Sequence, residues 1–133
     1  KDDIAGLIEE AKAYVEKALD KVDFGKYEDI VFVSKSMGTA LAGYFEIKYG
    51  ITVRHIFLTP VQEALKYMQR GKCIVVSGKN DTVLESRKLK IYCVEQDIPL
   101  KRFDEVGHSL EHSEDMNKTF AILMVLVRLY KEF

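Results

Sequence analysis

Three residues of this sequence, Ser36, Asp81 and His108, have the types and the chain order needed for acyl transfer. A serine hydroxyl is a weak nucleophile at neutral pH and needs a base to take its proton during attack. Histidine can accept that proton and return it to the leaving group, because its ordinary pKa is about 6.5. A carboxylate holds the imidazole tautomer and stabilises the imidazolium that forms. The three residue types therefore indicate nucleophilic attack on acyl compounds.

Ser36 lies at an abrupt change from a strand to a helix. The apolar run 30–33 predicts a buried strand, and helical spacing follows in Ala40, Leu41, Tyr44 and Phe45. A serine at such a corner is the pattern of a nucleophile elbow, in which small residues flank the serine. Those positions hold Ser34 and Gly38, although glycine is usual at the first of them. The backbone N–H of Met37, at the start of the helix, is the predicted oxyanion donor.

The elements that position these residues alternate between helix and strand. The sequence predicts an amphipathic helix over 3–20 laid on a sheet, and strands at 30–33, 54–59, 73–77 and 99–103. The connecting helices are expected over 40–49, 61–69 and 83–96, with a last helix from the end of loop 104–113 to about 131. Such alternation predicts a parallel sheet. Ser36, Thr59, Asp81 and His108 then follow the four strand ends, where sites form in such sheets.

These features resemble the α/β-hydrolase family over essentially the whole chain, as the C-terminal half of that fold. Ser36 matches the elbow serine, and Gly-Lys-Asn-Asp-Thr-Val at 78–83 is similar to the family's Gly-x-x-Asp-x-Val acid loop. Val-Gly-His-Ser at 106–109 is similar to its Gly-His loop before the last helix. The resemblance implies a three-layer α/β sandwich with a mostly parallel sheet, without the N-terminal strands and without a cap.

The resemblance also implies a function. It indicates a serine hydrolase of carboxylesterase type, in the EC 3.1 class, that acts on small ester or acyl substrates and uses no cofactor. Ser36, Asp81 and His108 would be catalytic, with substrate contacts at Thr59 and Val83. A non-catalytic or incomplete hydrolase-fold module that binds a ligand or a partner is the alternative. Little chain is available for a lid between Pro60 and Gly71, so an open site for small acyl groups is expected.

Each site residue also has a structural interpretation. Ser36 could cap the following helix, and Asp81 could serve only as a turn former or a helix cap. His112, one helical turn beyond His108, is the alternative base, and His55 lies within a strand and is interpreted as a core histidine. The alternative acids are Asp97, Asp104 and Glu105.

Composition excludes several other classes. The 133 residues form one expected domain, 1–133, with a net charge of −1, which favours neither nucleic acid nor a membrane surface as partner. Cys73 and Cys93 lie in apolar segments and are interpreted as buried free thiols in a reducing compartment, the cytoplasm. Scattered histidines and the absence of a Cys-x-x-Cys motif argue against a metal site. The glycines of a phosphate loop are absent ahead of Lys35 and Ser36.

One feature of the sequence does not fit a complete fold of this family. The family places several strands ahead of the elbow strand, one of which flanks it and precedes the loop that supplies the second oxyanion N–H. Here a single helix precedes strand 30–33, so one edge of that strand is expected to be open. The chain also begins at Lys1. We expect either a missing N-terminal segment or a homo-oligomer to pair beside residues 30–33.

Overall fold

The computed structural model describes residues 3–133 as four strands, four α-helices and two 3₁₀ turns. The strands are β1 (Val31–Lys35), β2 (Arg54–Leu58), β3 (Cys73–Gly78) and β4 (Leu100–Phe103). The helices are α1 (Ile4–Leu19), α2 (Met37–Tyr49), α3 (Ser86–Gln96) and α4 (Met116–Glu132), and the 3₁₀ turns are Phe24–Lys26 and Gln62–Tyr67. All strand pairs are parallel and the sheet order is β1-β2-β3-β4, as the alternation of elements predicted.

The two faces of the sheet have separate hydrophobic cores. Phe57 and Val75 pack with Leu89 of α3 on one face, whereas Ile56 and Val76 pack with Ile122 of α4 on the other. Successive residues of β2 and β3 are therefore buried in opposite directions, which explains why these strands are apolar without alternation. The result is the expected three-layer arrangement with the sheet in the middle.

Three elements differ from their predicted forms. The segment after β2 is the 3₁₀ turn Gln62–Tyr67 and not an α-helix, as is common for short connections. α3 begins at Ser86 and not near residue 83, because the Asp81 carboxylate accepts the Val83 N–H and holds a turn there. α1 was expected to lie on the sheet, but its buried Ile8 shares a cluster with Ala40, Leu41 and Phe45 of α2. The apolar face of α1 therefore packs against α2. The helical periodicity predicts such a face but does not indicate whether a sheet or another helix covers it.

β1 forms one edge of the sheet and pairs only with β2 within residues 3–133. The sequence predicted a strand covered on both faces, but Val31 and Val33 are 37% and 48% exposed. Their register partners are Arg54 and Ile56, so the two valines lie on the face of the sheet that α4 covers further along. Residues 3–133 therefore leave these two apolar side chains of β1 partly uncovered.

The structure also describes the two cysteines and the last helix. Cys73 and Cys93 are both free and buried, as the sequence indicated. The last helix is apolar over much of its circumference, yet only Ile122 and Leu126 of it are buried. Across residues 3–133 no helix combines the length and the apolar character needed to cross a membrane.

Candidate active site

Ser36 occupies the turn between β1 and α2 with an unusual backbone conformation, φ 55° and ψ −127°. A positive φ is costly for a residue with a β-carbon and persists only where surrounding contacts impose it. Here the Ser36 N–H donates to the Leu58 carbonyl at 2.9 Å, and the Ser36 carbonyl accepts the Thr39 hydroxyl at 2.6 Å. These bonds tie the turn to β2 and to the first turn of α2. They point the Ser36 side chain away from the helix.

The Ser36 hydroxyl makes no capping hydrogen bond to α2, which argues against the interpretation of this serine as a helix cap. Its Oγ lies instead 2.6 Å from Nε2 of His108. Met37 is the first residue of α2, and the N–H groups of a first helical turn have no intrahelical acceptor. The Ser36 hydroxyl therefore meets a base from another loop, and the first residue of α2 follows it directly in the chain.

Asp81 lies in the loop that follows β3, and its side chain contacts His108. Its Oδ2 is 2.9 Å from Nδ1 of His108, and its Oδ1 accepts the Val83 N–H at 2.8 Å. Asp81 is thus both a turn former and a partner of the histidine. Because a carboxylate oxygen accepts, this contact selects the neutral tautomer that has its ring proton on Nδ1, in which Nε2 accepts from Ser36. The carboxyl group is buried, whereas the His108 side chain is 28% exposed.

The loops that carry Asp81 and His108 touch through their backbones. Asn80 N–H donates to the Val106 carbonyl at 2.9 Å. A β-carbon at Gly78 would collide with the carbonyl oxygens of Val106 and Gly107, so only glycine allows this approach. Sequence reasoning assigned Gly78 to a motif but did not detect this contact. The order of the strands brings the two loops together, since β3 and β4 are neighbours.

His112, the alternative base, has a different role. Its Nδ1 accepts the backbone N–H groups of Glu114 and Asp115 at 3.2 and 2.9 Å, immediately before α4. Its Nε2 lies 3.5 Å from a Glu105 carboxylate oxygen. Both ring nitrogens therefore face the start of the last helix and the preceding loop.

The alternative acids are engaged by lysine or arginine side chains at other places. Asp104 pairs with Lys79 at 2.6 Å, and that contact holds the pKa of its carboxyl below the ordinary value. Asp97 pairs with Arg70 at 3.1 Å. These contacts leave Asp81 as the carboxylate that the structure brings to His108.

The two expected substrate contacts differ in accessibility. Thr59 follows β2 as predicted, but it is fully buried with a positive φ of 39°. Its side chain does not reach a surface where a substrate could touch it, so we do not propose Thr59 as a contact. Val83 is exposed beside Asp81 and remains a candidate. The sequence predicted that Thr59 follows the second strand, but it did not indicate the direction of its side chain.

His55 is the buried core histidine that the sequence suggested. Its Nε2 lies 2.8 Å from a carboxylate oxygen of Glu46 in α2, and its ring stacks on that of Phe57 with centroids 4.6 Å apart. Burial lowers the pKa of His55 from its ordinary value of 6.5, and the Glu46 carboxylate opposes that shift only in part. The histidine therefore stays neutral in the folded chain at pH values where the unfolded chain is protonated.

This shift makes stability depend on pH. As the pH falls below 6.5, the unfolded chain binds a proton at His55 that the folded chain binds only at lower pH, so the free energy of unfolding falls. The slope from one such group is at most about 1.4 kcal/mol per pH unit. We expect His55→Gln, which keeps an N–H donor toward Glu46 but does not titrate, to weaken this dependence. Urea denaturation from about pH 7 to 5 measures it, and equal slopes would assign the effect to other groups.

Comparison with solved structures identifies the fold. An alpha-beta serine hydrolase homologue from Coxiella burnetii matches 96% of this chain with a TM-score of 0.62 and 16% identity. A CIB-like hydrolase from Thermoplasma acidophilum matches 95% with a TM-score of 0.66 and 19% identity. Esterase 2 of Thermogutta terrifontis, solved after phosphorylation by paraoxon, matches 95% with a TM-score of 0.52 and 14% identity.

The chain thus has the α/β-hydrolase fold that its motifs resemble. It spans only 60% of the length of the Coxiella and Thermoplasma chains, and 64% of the Thermogutta chain. No protein-family model and no curated protein matches the sequence. Hydrolases of this fold are therefore its structural neighbours. Identities this low do not indicate which substrate this chain would take.

Proposed function

We propose that this chain is a serine hydrolase of carboxylesterase type that acts on small esters or related acyl compounds. The observation that carries the proposal is the chain of contacts from Asp81 Oδ2 to His108 Nδ1, at 2.9 Å, and from His108 Nε2 to Ser36 Oγ, at 2.6 Å. Three separate loops, which follow β1, β3 and β4, supply these groups at one end of the sheet. The strained backbone of Ser36 supports the same interpretation, because such strain concentrates at functional sites.

The geometry suggests how each group would act. Ser36 Oγ attacks the substrate carbonyl carbon while His108 Nε2 takes the hydroxyl proton, and Asp81 stabilises the imidazolium. The carbonyl oxygen becomes an oxyanion that the Met37 N–H stabilises at the start of α2. His108 then gives its proton to the leaving alkoxide, which departs as an alcohol and leaves an acyl-serine. Water attacks this ester with His108 as base, and the acid and the free serine result.

An active-site label tests the proposal directly. A fluorophosphonate reacts rapidly only with an activated serine, at which it releases fluoride and forms a phosphonyl ester. We expect one adduct on Ser36, found by peptide mass spectrometry, and none in Ser36→Ala. Absence of labelling in the unmodified chain would favour the alternative of a non-catalytic module that binds a ligand or partner.

The proposed substrates are small because the site is open. The structure describes no lid over His108, which is partly exposed, and the 3₁₀ turn Gln62–Tyr67 is the only element between β2 and β3 within residues 3–133. Such a site favours short or protruding acyl groups over long buried chains. The free thiols Cys73 and Cys93 fit a reducing compartment, and we propose a cytoplasmic location. No nucleic-acid or membrane partner is proposed.

We further propose that additional polypeptide pairs as a strand with the open edge of β1. A groove of about 420 Å³ runs along this edge, and the residues that line it include Val15, Leu19, Phe32, Leu41 and Phe45. The exposed Val31 and Val33 also line this groove, and their backbone groups at the edge need partners. The matched structures are longer than this chain, which supports a strand from beyond these 133 residues. A second copy of this chain could pair with the same edge instead, and the following experiment can detect it.

We expect the 133-residue chain alone to self-associate through this edge. Light scattering after size exclusion should give masses above 15.3 kDa that rise with concentration. Val33→Lys should shift the chain toward monomer, because a lysine on an exposed edge strand opposes pairing with another chain. Val94→Lys on α3 is the matched control, since Val94 is also exposed but lies away from β1. A monomeric chain with strong esterase activity would mean that this edge needs no cover.

A further inference from the structure

Lys35 connects the strand that carries Ser36 to the loop that carries His108. Its Nζ donates to the backbone carbonyl of Ser109 at 2.9 Å, between residues 74 positions apart in sequence. Lys35 directly precedes Ser36, and Ser109 directly follows His108. The Lys35–Ser109 bond therefore runs beside the 2.6 Å contact between Ser36 Oγ and His108 Nε2.

The rest of the His108 loop is anchored to other parts of the chain. On its N-terminal side, Val106 accepts from Asn80, and Glu105 pairs with Lys118 of α4 at 2.6 Å. On its C-terminal side, the His112 N–H donates to Thr119 of α4. None of these contacts reaches β1. Among the hydrogen bonds of residues 3–133, those of Lys35 and His108 are the two that join this loop to the Ser36 turn.

We propose that Lys35 is a positioning residue that keeps the His108 loop in register with Ser36 during turnover. This inference rests on the proposed function, because it concerns the same site. The contact between Ser36 and His108 must break and re-form as the proton moves to the leaving group. While it is broken, the Lys35 hydrogen bond is the one that still joins this loop to the Ser36 turn within residues 3–133. A histidine displaced by about 1 Å can cost a large factor in rate. A charged donor makes a stronger hydrogen bond than a neutral one, which suits a single exposed tether.

Removing the donor while keeping the side-chain stem tests the tether. We expect Lys35→Met to lower kcat for a short-chain ester about 10-fold with KM changed less than about 2-fold, because the residue aligns groups and does not bind substrate. The rate of fluorophosphonate labelling should fall by a similar factor. Lys35→Arg, which retains N–H donors, should restore kcat to within about 3-fold of the unmodified chain.

Lys118→Met is the matched control. Lys118 of α4 anchors the same loop through Glu105, but this contact does not involve β1. It should leave kcat nearly unchanged. Thermal melting by circular dichroism verifies that each variant is folded. If Lys35→Met is not, Lys35→Thr replaces it with the same expectation, because threonine is polar and suits a strand but its hydroxyl is three bonds shorter than the lysine amine.

The outcomes separate the two proposals. No labelling of Ser36 in the unmodified chain would overturn the proposed function, whatever the lysine variants do. Labelling of the unmodified chain together with an unchanged kcat in folded Lys35→Met would overturn only the role of Lys35. A loss confined to KM, or a loss that Lys35→Arg does not rescue, would likewise contradict a positioning role.

Discussion

Replacement of Ser36 by alanine is expected to lower kcat for ester hydrolysis by about 10³-fold or more, because it removes the covalent route. The variant keeps the Asp81–His108 pair, so it retains a base that could activate water, but no acyl-enzyme can form. Folding should not suffer, since the Ser36 side chain makes no capping bond to α2. The measurement is steady-state hydrolysis of a short-chain p-nitrophenyl ester, with a melting curve for each protein.

Ser34→Gly is the matched control for this change. Ser34 is the small residue two positions before Ser36, and its buried hydroxyl has no hydrogen-bond partner among residues 3–133. Glycine at this position removes an unsatisfied polar group but adds backbone freedom to a strand, and the two effects oppose each other. We expect a change in kcat of less than about 3-fold, since the side chain does not contact the reacting groups. Equal losses in Ser34→Gly and Ser36→Ala would mean that the nucleophile has been assigned to the wrong serine.

The sequence predicted the sheet and the meeting of three loops because both depend on simple rules. Parallel strands share the direction of their carboxyl ends, so residues just past those ends must lie near one another. Asp81 and His108 follow neighbouring strands β3 and β4, while Ser36 follows β1, which is two places from β3 and three from β4. The long loop 104–115 crosses this distance, and the buried side chain of Leu110 anchors it on the α4 face.

Other features of the site could not be predicted, because they depend on side-chain direction. Thr59 holds its predicted place after β2, yet its side chain points into the core. The Thr39 hydroxyl supports the Ser36 carbonyl at 2.6 Å, although its place in α2 gave no sign of this. The sequence indicates no role for Lys35, since the glycines of a phosphate loop are absent, whereas the structure directs Lys35 to Ser109. Spacing along the chain locates residues but does not fix rotamers or long-range partners.

At β1 the sequence pattern and the structure of residues 3–133 disagree. An apolar run without alternation indicates a strand covered on both faces, and that rule holds for β2 and β3. In β1 the same rule fails at Val31 and Val33, which the 133 residues leave exposed. The exposed apolar residues of α4, which include Phe120, Leu123 and Val127, lie on the helix of that same face. The two observations together favour cover from further polypeptide over a mispredicted strand.

Loss of the base should be nearly as damaging as loss of the serine, so His108→Ala is expected to lower kcat by about 10³-fold or more. Without the imidazole, no group of the described site takes the Ser36 proton, because Asp81 reaches His108 and not the hydroxyl. Asp81→Asn should lose about 10²- to 10⁴-fold while still folding. The asparagine oxygen can still accept the Val83 N–H, but its NH₂ group would face Nδ1 and force the ring proton onto Nε2. Histidine in that tautomer cannot accept the proton of Ser36.

The control for these variants is His112→Ala, which should leave kcat within about 3-fold of the unmodified chain, since His112 contacts no reacting group. Its ring accepts two backbone N–H groups ahead of α4, so the expected effect is a lower melting temperature. Inactivation by His112→Ala with a normal melting curve would transfer the role of base to His112. Normal turnover in folded His108→Ala would end the proposed mechanism. The contrast between two histidines four residues apart on one loop thus decides whether the contact between Ser36 and His108 is catalytic or only structural.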